Sequence, residues 1–318
     1  MASADNAAVP MALTPAAWVS ACRATARAAF DMETSLRCAG VAFFGFLSVF
    51  PAISALVAVV GLVADTRALD LTRLPLAPAV PSDIVQLIDT RVTAFAARDT
   101  SFGIGLGISL VVAMWSGSRG MNALIFAISR AHKEETRRGF LASVVMSLAA
   151  TLGAFVTLTI IVVAVTVIPA IALIWPFPES RETAVLWLRW PILAAVLALA
   201  VFILFKQAPD RRSPRARWVV PGAVLATLLW LGGSMALSVF IENFGRYNAT
   251  FGSIAAAAVF MLWLYFSALV LVSGARLNAE LEWRTRRDST VGPPRPMGER
   301  EAYVADTLAS DVLRERSR

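Results

Sequence analysis

The dominant pattern along the chain is a series of long apolar stretches separated by shorter polar segments. A helix needs roughly 18 consecutive apolar residues to cross the hydrocarbon layer of a bilayer. Six stretches are near or above that length, at about residues 39–64, 102–118, 139–168, 187–205, 218–241 and 251–275. The pattern therefore predicts an all-α, polytopic membrane protein built as a bundle of six transmembrane helices.

The polar segments between and around these stretches predict amphipathic interfacial helices. Residues 15–37 look helical, and residues 81–99 place apolar side chains at mostly helical spacing within the outer loop 65–101. The run STVGPPRPMGERE that follows Asp288 is typical of a linker. The predicted organisation is an N-terminal cytoplasmic helical segment (1–38), a six-helix membrane domain (39–282) and a largely disordered cytoplasmic tail (283–318).

Composition and charge agree with a membrane protein and predict its orientation. Apolar residues make up 58% of the chain and charged residues only 16%. With Arg119 left aside, the flanks on the side of the two termini carry 21 Arg and Lys, against 7 in the opposite flanks. Cytoplasmic loops carry the excess of Arg and Lys, so both termini are predicted to lie in the cytoplasm.

The sequence lacks the residue clusters that metal or nucleotide sites require. His132 is the single histidine, and there is no Cys-x-x-Cys, no His-x-x-x-His and no Gly-rich loop followed by Lys-Ser/Thr. Cys22 and Cys38 both precede the first apolar stretch, on the predicted cytoplasmic side, which disfavours a disulfide and predicts two buried or inert thiols. We therefore expect no cofactor and no metal.

Arg119 is the basic residue in the otherwise apolar stretch VVAMWSGSRGMNALIFAI at residues 111–128. Gly117 and Gly120 flank it, so the sequence predicts a break or sharp bend there, followed by a short helix along the inner leaflet. Counted from Phe102, Arg119 lies roughly 25 Å deep, near the inner boundary of the bilayer. It is either an interfacial anchor or, as an ionisable residue within a span, the anion-binding residue of a pathway.

Other polar residues extend this candidate pathway. Pro51 is expected to kink the first helix, with Ser48 helping to accommodate the kink. The inner group of candidate pathway or gating residues is Arg119, Asn122, Ser48, Pro51, Asn278 and Glu280, in which Asn278 or Glu280 could partner Arg119 unless Arg276 takes Glu280. The turn IENFGRYNATFG supplies a candidate outer vestibule, for which a solvated loop is the alternative: Glu242, Asn243, Tyr247 and Asn248.

Three stretches resemble one known family. They are AFFGFLSVFPAISALVAVVGL (42–62), MWSGSRGMNALIFAISRAHKEETRRGF (114–140) and RYNATFGSIAAAAVFMLWLYFSALVLVSGARLNAELE (246–282). They are similar to the YihY/BrkB family, or virulence factor BrkB family, of bacterial inner-membrane proteins. The resemblance implies six spanning helices with both ends cytoplasmic. Members of the family carry serum-resistance or transporter labels, and they were formerly labelled ribonuclease BN.

The residues themselves argue against the ribonuclease label. A metal-dependent nuclease needs clustered histidines and carboxylates, and this chain has one histidine and scattered acidic residues. We expect a protein that is not an enzyme, whose partners are the bilayer and anionic headgroups at its cytoplasmic face rather than nucleic acid. A homo-oligomer is compatible with the sequence. Two functions stay open: a transporter or exporter of an amphipathic or lipid-like anionic molecule, and a non-transporting envelope scaffold that binds a partner through its outer loop or tail.

Overall fold

The computed structural model describes residues 6–63, 100–135, 138–174, 179–244 and 248–309, and side chains over 6–49, 111–112, 114–135, 138–161, 190–241 and 257–309. The predicted amphipathic helix at 81–99 lies outside these residues. The described chain is all-helical, with one isolated bridge between Pro214 and Thr290 and no strand. Its helices are α1 (Pro15–Ala29), α2 (Met32–Val63), α3 (Thr100–Ala131), α4 (Phe140–Ile174), α5 (Glu179–Gln207), α6 (Ala216–Phe244), α7 (Asn248–Glu282) and a single turn, α8 (Tyr303–Asp306).

The long helices form a closed ring in chain order. Each of α2 to α6 packs against the next, α6 packs against α7, and α7 returns to contact α2 and α3. The N-terminal helix α1 lies against α7. Its start is capped by Thr14, whose hydroxyl accepts the Ala17 N–H at 3.3 Å, and Pro15 occupies the first helical position, where a missing N–H costs nothing.

The buried core is concentrated toward one end of the ring, which we call the polar end: residues 131–135, 138–140, 207–216 and 282–309. Ile128, Phe205 and Val219 lie next to it and are almost fully buried, in one cluster with Ala275. Away from the polar end, large apolar side chains point outward, with Leu152, Leu228 and Leu262 each more than half exposed. A contiguous apolar exterior is unfavourable in water and expected of a surface that faces lipid.

Four helical segments are long and apolar enough to cross a membrane within the described residues. They are Phe140–Ile161, Trp190–Gln207, Ala216–Ile241 and Ala257–Glu282. The first two predicted spans fall within α2 and α3, which are each 32 residues long. The structure therefore agrees with an all-helical membrane protein that has at least these four candidate spans.

The tail differs from the predicted linker. Residues 283–309 are an ordered part of the polar end, with Thr285, Thr290 and Val304 almost fully buried. The backbone is held by side chains, because Arg300 donates hydrogen bonds to the carbonyls of Arg286, Arg295 and Ala305 at 2.7–3.0 Å. The prediction of a largely disordered tail is thus wrong for 283–309, since the Arg300 side chain satisfies carbonyl groups of a mostly irregular backbone.

Candidate functional site

Arg119 lies on an unbroken helix. The described backbone of α3 is α-helical from Thr100 to Ala131, so the predicted break at residues 117–120 is wrong. The glycines serve close packing instead: a Cβ on Gly120 would lie 3.3 Å from the Gly45 nitrogen of α2, and one on Gly117 would lie 3.1 Å from Thr151 of α4. Small residues at such contacts allow neighbouring backbones to approach closely.

The continuation of α3 beyond Arg119 is part of the core. Leu124, Ile125 and Ile128 share one face and are 7%, 8% and 0% exposed, packed in the cluster that also holds Phe205. The prediction that this face lies along the inner leaflet is therefore wrong. The periodicity of the face was read correctly, but the surface it covers is protein rather than lipid.

A groove of about 490 Å³ opens beside α3 and brings Arg119 and Asn122 together. Both side chains are exposed, and both were predicted as pathway residues. Aromatic and apolar side chains contributed by α2, α3 and α4 form much of the rest of the lining: Phe44, Phe126, Phe140 and Met146. The groove is thus part cationic and part apolar, and its volume lies within the range of ligand pockets, roughly 300–1,000 Å³.

The two guanidinium groups that line this groove, those of Arg119 and Arg138, differ in their partners. Arg138 is held by an ion pair with Asp210 (3.2 Å) and by three carbonyl oxygens at the end of α5, at 2.9–3.2 Å. Arg119 instead stacks on Trp115, with its Cζ atom 5.3 Å from the ring centroid. No carboxylate among the described side chains pairs with Arg119. Its charge is therefore available to an anion.

Asn278 and Glu280 do not partner Arg119, and that prediction is wrong. The Oδ1 atom of Asn278 accepts the Gly222 N–H at 2.7 Å, and its Nδ2 donates to the Val219 carbonyl at 3.0 Å, which joins α7 to α6. The carboxylate of Glu280 pairs with Arg276 at 2.5 Å and with Arg284 at 2.7 Å. The competing pair of Arg276 with Glu280, anticipated from their i, i+4 spacing, is the one that forms.

The remaining predicted residues fall outside this groove or outside the described side chains. The Ser48 hydroxyl donates to the Gly45 carbonyl at 2.7 Å, so it bonds within its own turn of α2. Pro51 lies within α2, which is helical throughout. The outer-vestibule residues are in part helical, because Glu242 and Asn243 belong to the last turn of α6 and Asn248 begins α7. Tyr247 and the side chains of Pro51, Glu242, Asn243 and Asn248 lie outside the described residues.

A buried ion pair at the polar end was not anticipated from sequence. The guanidinium of Arg211 grips the carboxylate of Glu282 through two bonds, of 2.6 and 3.1 Å, and both side chains are 1% exposed. It ties the connection between α5 and α6 to the end of α7. The available signal was the run of charges in LNAELEWR at the end of α7.

His132 lies beside this pair and is fully buried. Its Nδ1 lies 3.0 Å from the Ile128 carbonyl. Burial, together with the positive charges of Arg211 and Arg276, lowers the pKa of His132 from 6.5 to about 3. The imidazole is therefore neutral at physiological pH. Within the described residues no three His, Cys, Asp or Glu side chains cluster as metal ligands.

The two thiols also differ from each other. Both cysteines are free, as expected, but only Cys38 is buried. Cys22 is exposed on α1, so burial is confirmed for Cys38 alone, and an inert Cys22 thiol stays a prediction.

These features define the class of the molecule: a helical membrane protein with apolar spans, a charged and well-packed polar end, and a cationic groove beside α3. The family model described as Virulence factor BrkB matches residues 25–298. The chain belongs to the virulence factor BrkB family, as the resemblance predicted.

Individual relatives are more distant. The ribonuclease-like protein YfkH of Bacillus subtilis is 28% identical over 214 residues, which is 65% of this chain and 75% of YfkH. A UPF0761 membrane protein of Rhodospirillum centenum is 27% identical over 275 residues, 85% of this chain and 56% of that protein. One from Tolumonas auensis is 34% identical over 101 residues, 31% of this chain and 32% of that protein. No solved structure shows significant similarity to this chain.

Proposed function

We propose that the protein is a bacterial inner-membrane transporter or exporter that moves an amphipathic or lipid-like anionic molecule along the groove beside α3. The observation that carries the proposal is the exposed Arg119, without a carboxylate partner among the described side chains, in a groove that also presents Phe44, Phe126 and Phe140. An anionic headgroup would pair with the guanidinium, and an apolar chain would lie on the aromatic side.

The topology that goes with this proposal has six spans and both termini in the cytoplasm. Four candidate spans lie in α4 to α7, and α2 and α3 add two helices of 32 residues, each about 48 Å long at 1.5 Å per residue. The excess of Arg and Lys in the connections of the polar end supports placing that end in the cytoplasm. Anionic lipid headgroups are then its expected partners at that face.

The proposal also holds that the chain is not a ribonuclease, although a relative carries a ribonuclease-like name. A metal-dependent nuclease needs several ligands close together to hold its ions and activate water. The buried carboxylates Glu280 and Glu282 are each taken up by arginines, which leaves them little capacity for a metal ion. Purified protein incubated with RNA and Mg²⁺ or Mn²⁺ is expected to show no cleavage.

Reconstitution into liposomes tests the transport proposal. Movement of a fluorescent phosphatidylglycerol between leaflets, and efflux of a small anionic dye, are measured for wild type, Arg119→Ala and Arg119→Lys. We expect wild type to move at least one probe above protein-free liposomes. Loss of the charge in Arg119→Ala should slow movement about tenfold, since a charge-assisted bond contributes about 1.5–3 kcal/mol, while Arg119→Lys retains most of the rate.

Arg217→Ala is the matched control for that experiment. Arg217 is an exposed basic residue in the first turn of α6 and does not line the groove. The substitution Arg217→Ala also removes one positive charge from the chain, and it should leave the rate of probe movement unchanged. Background movement of both probes by wild type would reject transport of these molecules. Normal cellular function of Arg119→Ala, with loss of function on deleting residues 81–99 or 289–318, would favour the scaffold instead.

A further inference from the structure

A second cavity, of about 550 Å³, lies at the last turn of α3. It is enclosed by the end of α1, the start of α2, the last turn of α3 and one face of α7. It shares no lining residue with the Arg119 groove. Any ligand in this cavity is therefore held by a different set of side chains.

The lining of this cavity is strongly cationic. Five basic side chains line it against two carboxylates, those of Asp31 and Glu33. Glu33 is already paired with Arg37 within one turn of α2. The basic residues are Arg27, Arg37, Arg130, Lys133 and Arg276.

The cations that approach the cavity from α1 and α3 lack acidic partners. Neither Arg27 nor Arg130 pairs with a carboxylate among the described side chains, and Arg130 instead stacks on Phe126, with its Cζ atom 5.4 Å from the ring centroid. Asp31 is the carboxylate left to oppose them. Among the described side chains the lining thus keeps an excess of positive charge, which an outside anion would neutralise.

Two buried polar atoms at the wall of the cavity have no hydrogen-bond partner. The Thr25 hydroxyl and the Nε–H of Arg276 are both buried and unsatisfied, and Thr25 is 6% exposed. The other donors of Arg276 are used, by Glu280 and by the Ala131 carbonyl at 3.2 Å. A buried polar group without a partner costs about 1–3 kcal/mol, so two such groups at the wall of one cationic cavity point to a missing acceptor.

We propose that this cavity is a binding site for a phosphate group, with Arg27, Arg130 and Arg276 as its cationic ligands and Thr25 as its hydroxyl donor. A phosphate offers oxygens that accept from several donors at once and carries the negative charge that the lining lacks. The group belongs either to the headgroup of an anionic lipid or to a free phosphorylated solute. The site does not depend on transport through the Arg119 groove.

The experiment uses the full chain, with inorganic phosphate as the soluble probe. Binding to detergent-solubilised protein is measured by calorimetry and by the rise in thermal unfolding midpoint. The variant Arg27→Gln/Arg130→Gln should bind phosphate about tenfold more weakly or worse, because two charge-assisted contacts are lost. The control Arg23→Gln/Arg217→Gln removes two exposed charges that do not line the cavity, one of them a single turn before Arg27, and should bind as wild type does.

Nanodiscs distinguish the two sources of the phosphate group. The ligand is a lipid headgroup if free phosphate does not bind but nanodiscs of phosphatidylglycerol stabilise wild type more than nanodiscs of phosphatidylcholine do. That difference in stabilisation should then be lost in Arg27→Gln/Arg130→Gln and kept in the control variant. If neither probe depends on Arg27 and Arg130, the proposal is overturned. The control Arg23→Gln/Arg217→Gln should keep the difference between the two kinds of nanodisc, because neither residue lines the cavity.

Thr25→Val separates ligand binding from a structural role. The substitution keeps the side-chain shape and removes a buried hydroxyl that has no partner. Without ligand, the unfolding midpoint of Thr25→Val should therefore rise or stay the same. The affinity for whichever probe binds wild type should fall about threefold or more, as expected for one lost hydrogen bond. Unchanged ligand response in Thr25→Val and in Arg27→Gln/Arg130→Gln together would reject the site.

Discussion

The arginines of the polar end and those that line the two cavities make opposite use of the same side chain. Arg211 and Arg300 are buried, and each is bonded to a carboxylate or to several carbonyl oxygens. Arg119 and Arg130 are exposed and rest on aromatic rings, without a carboxylate among the described side chains. A buried charge must be paired, and in the first group the pairing groups belong to the protein itself.

The difference separates charges that hold the fold from charges that are free to bind. In the first group the protein supplies the carboxylate or the carbonyl oxygens that bind the guanidinium group. In the second, an aromatic face contributes only about 0.5–1 kcal/mol at an exposed site, which an incoming anion easily exceeds. Substitutions in the two groups should therefore have different readouts: stability for the first and ligand binding for the second.

The largest expected effect is on the buried pair of Arg211 and Glu282. Arg211→Met leaves the Glu282 carboxylate buried without its partner, and should lower the free energy of unfolding by about 3–5 kcal/mol. Thermal and denaturant unfolding of the solubilised protein measure this. The double variant Arg211→Met/Glu282→Leu removes both charges and should recover most of the loss. Wild-type stability in the single variant would contradict the division drawn above.

The next largest effect on stability is expected at the close contact between α6 and α7. A Cβ on Gly222 would lie 2.1 Å from the Gly274 carbonyl oxygen and 2.6 Å from the Asn278 side chain. Gly222→Ala must push the two helices apart and should cost about 1–3 kcal/mol or more. Gly232→Ala is the control on the same helix, where an added Cβ meets nothing within 4 Å. It should be neutral or stabilising by about 0.5–1 kcal/mol, because alanine favours helix.

The features that depend on local sequence were predicted correctly. The helical class, the apolar spans in α4 to α7 and the family follow from runs of similar residues, and no distant contact is needed to recognise them. The pairing of Arg276 with Glu280 belongs to the same group, since the two lie one turn apart on one helix. Six spans and the orientation of the termini stay predictions.

The features that depend on tertiary contacts were not predicted from the sequence. Gly117 and Gly120 were read as a helix break, because a sequence does not show that α2 and α4 press against those positions. The tail was read as a linker, because its proline and glycine content hides the role of Arg300 in satisfying the backbone. Arg119 and Asn122 were predicted as candidates, but the groove that they line also needs Phe44 of α2 and Phe140 of α4, whose contact with this part of α3 the sequence does not show.

The burial of His132 predicts that the free energy of unfolding depends on pH, with a change of about 2 kcal/mol. It is the only histidine in the chain, and its pKa falls from 6.5 to about 3 on folding. Between pH 6.5 and pH 3, His132 is therefore protonated in the unfolded chain but neutral in the folded chain. The free energy of unfolding consequently decreases as the pH falls through this range. Between pH 7 and pH 5 the linkage predicts a loss of about 2 kcal/mol.

Unfolding midpoints at pH 7 and pH 5 measure that loss, and His132→Gln is the comparison. The variant removes the group that titrates in this window, so its stability should change much less between the two pH values. It will be less stable at pH 7 if glutamine fits the site poorly, but only the pH dependence bears on the argument. An equal loss in both proteins would mean that His132 is not buried in the neutral form.

The smallest expected effect on stability is at Arg119. This variant tests most directly whether the arginines without a carboxylate partner differ from those that stabilise the fold. Arg119 and Arg138 line the same groove, but Arg138 is bonded to Asp210 and to three carbonyl oxygens, whereas Arg119 has an exposed ring beneath it. Arg119→Gln should therefore change the free energy of unfolding by less than about 1 kcal/mol, while Arg138→Gln should lower it by about 1–3 kcal/mol. Parallel denaturant titrations of the two variants test this. A loss in Arg119→Gln as large as that in Arg138→Gln would make Arg119 a structural residue, and the groove would lose the cation on which an anion is proposed to bind.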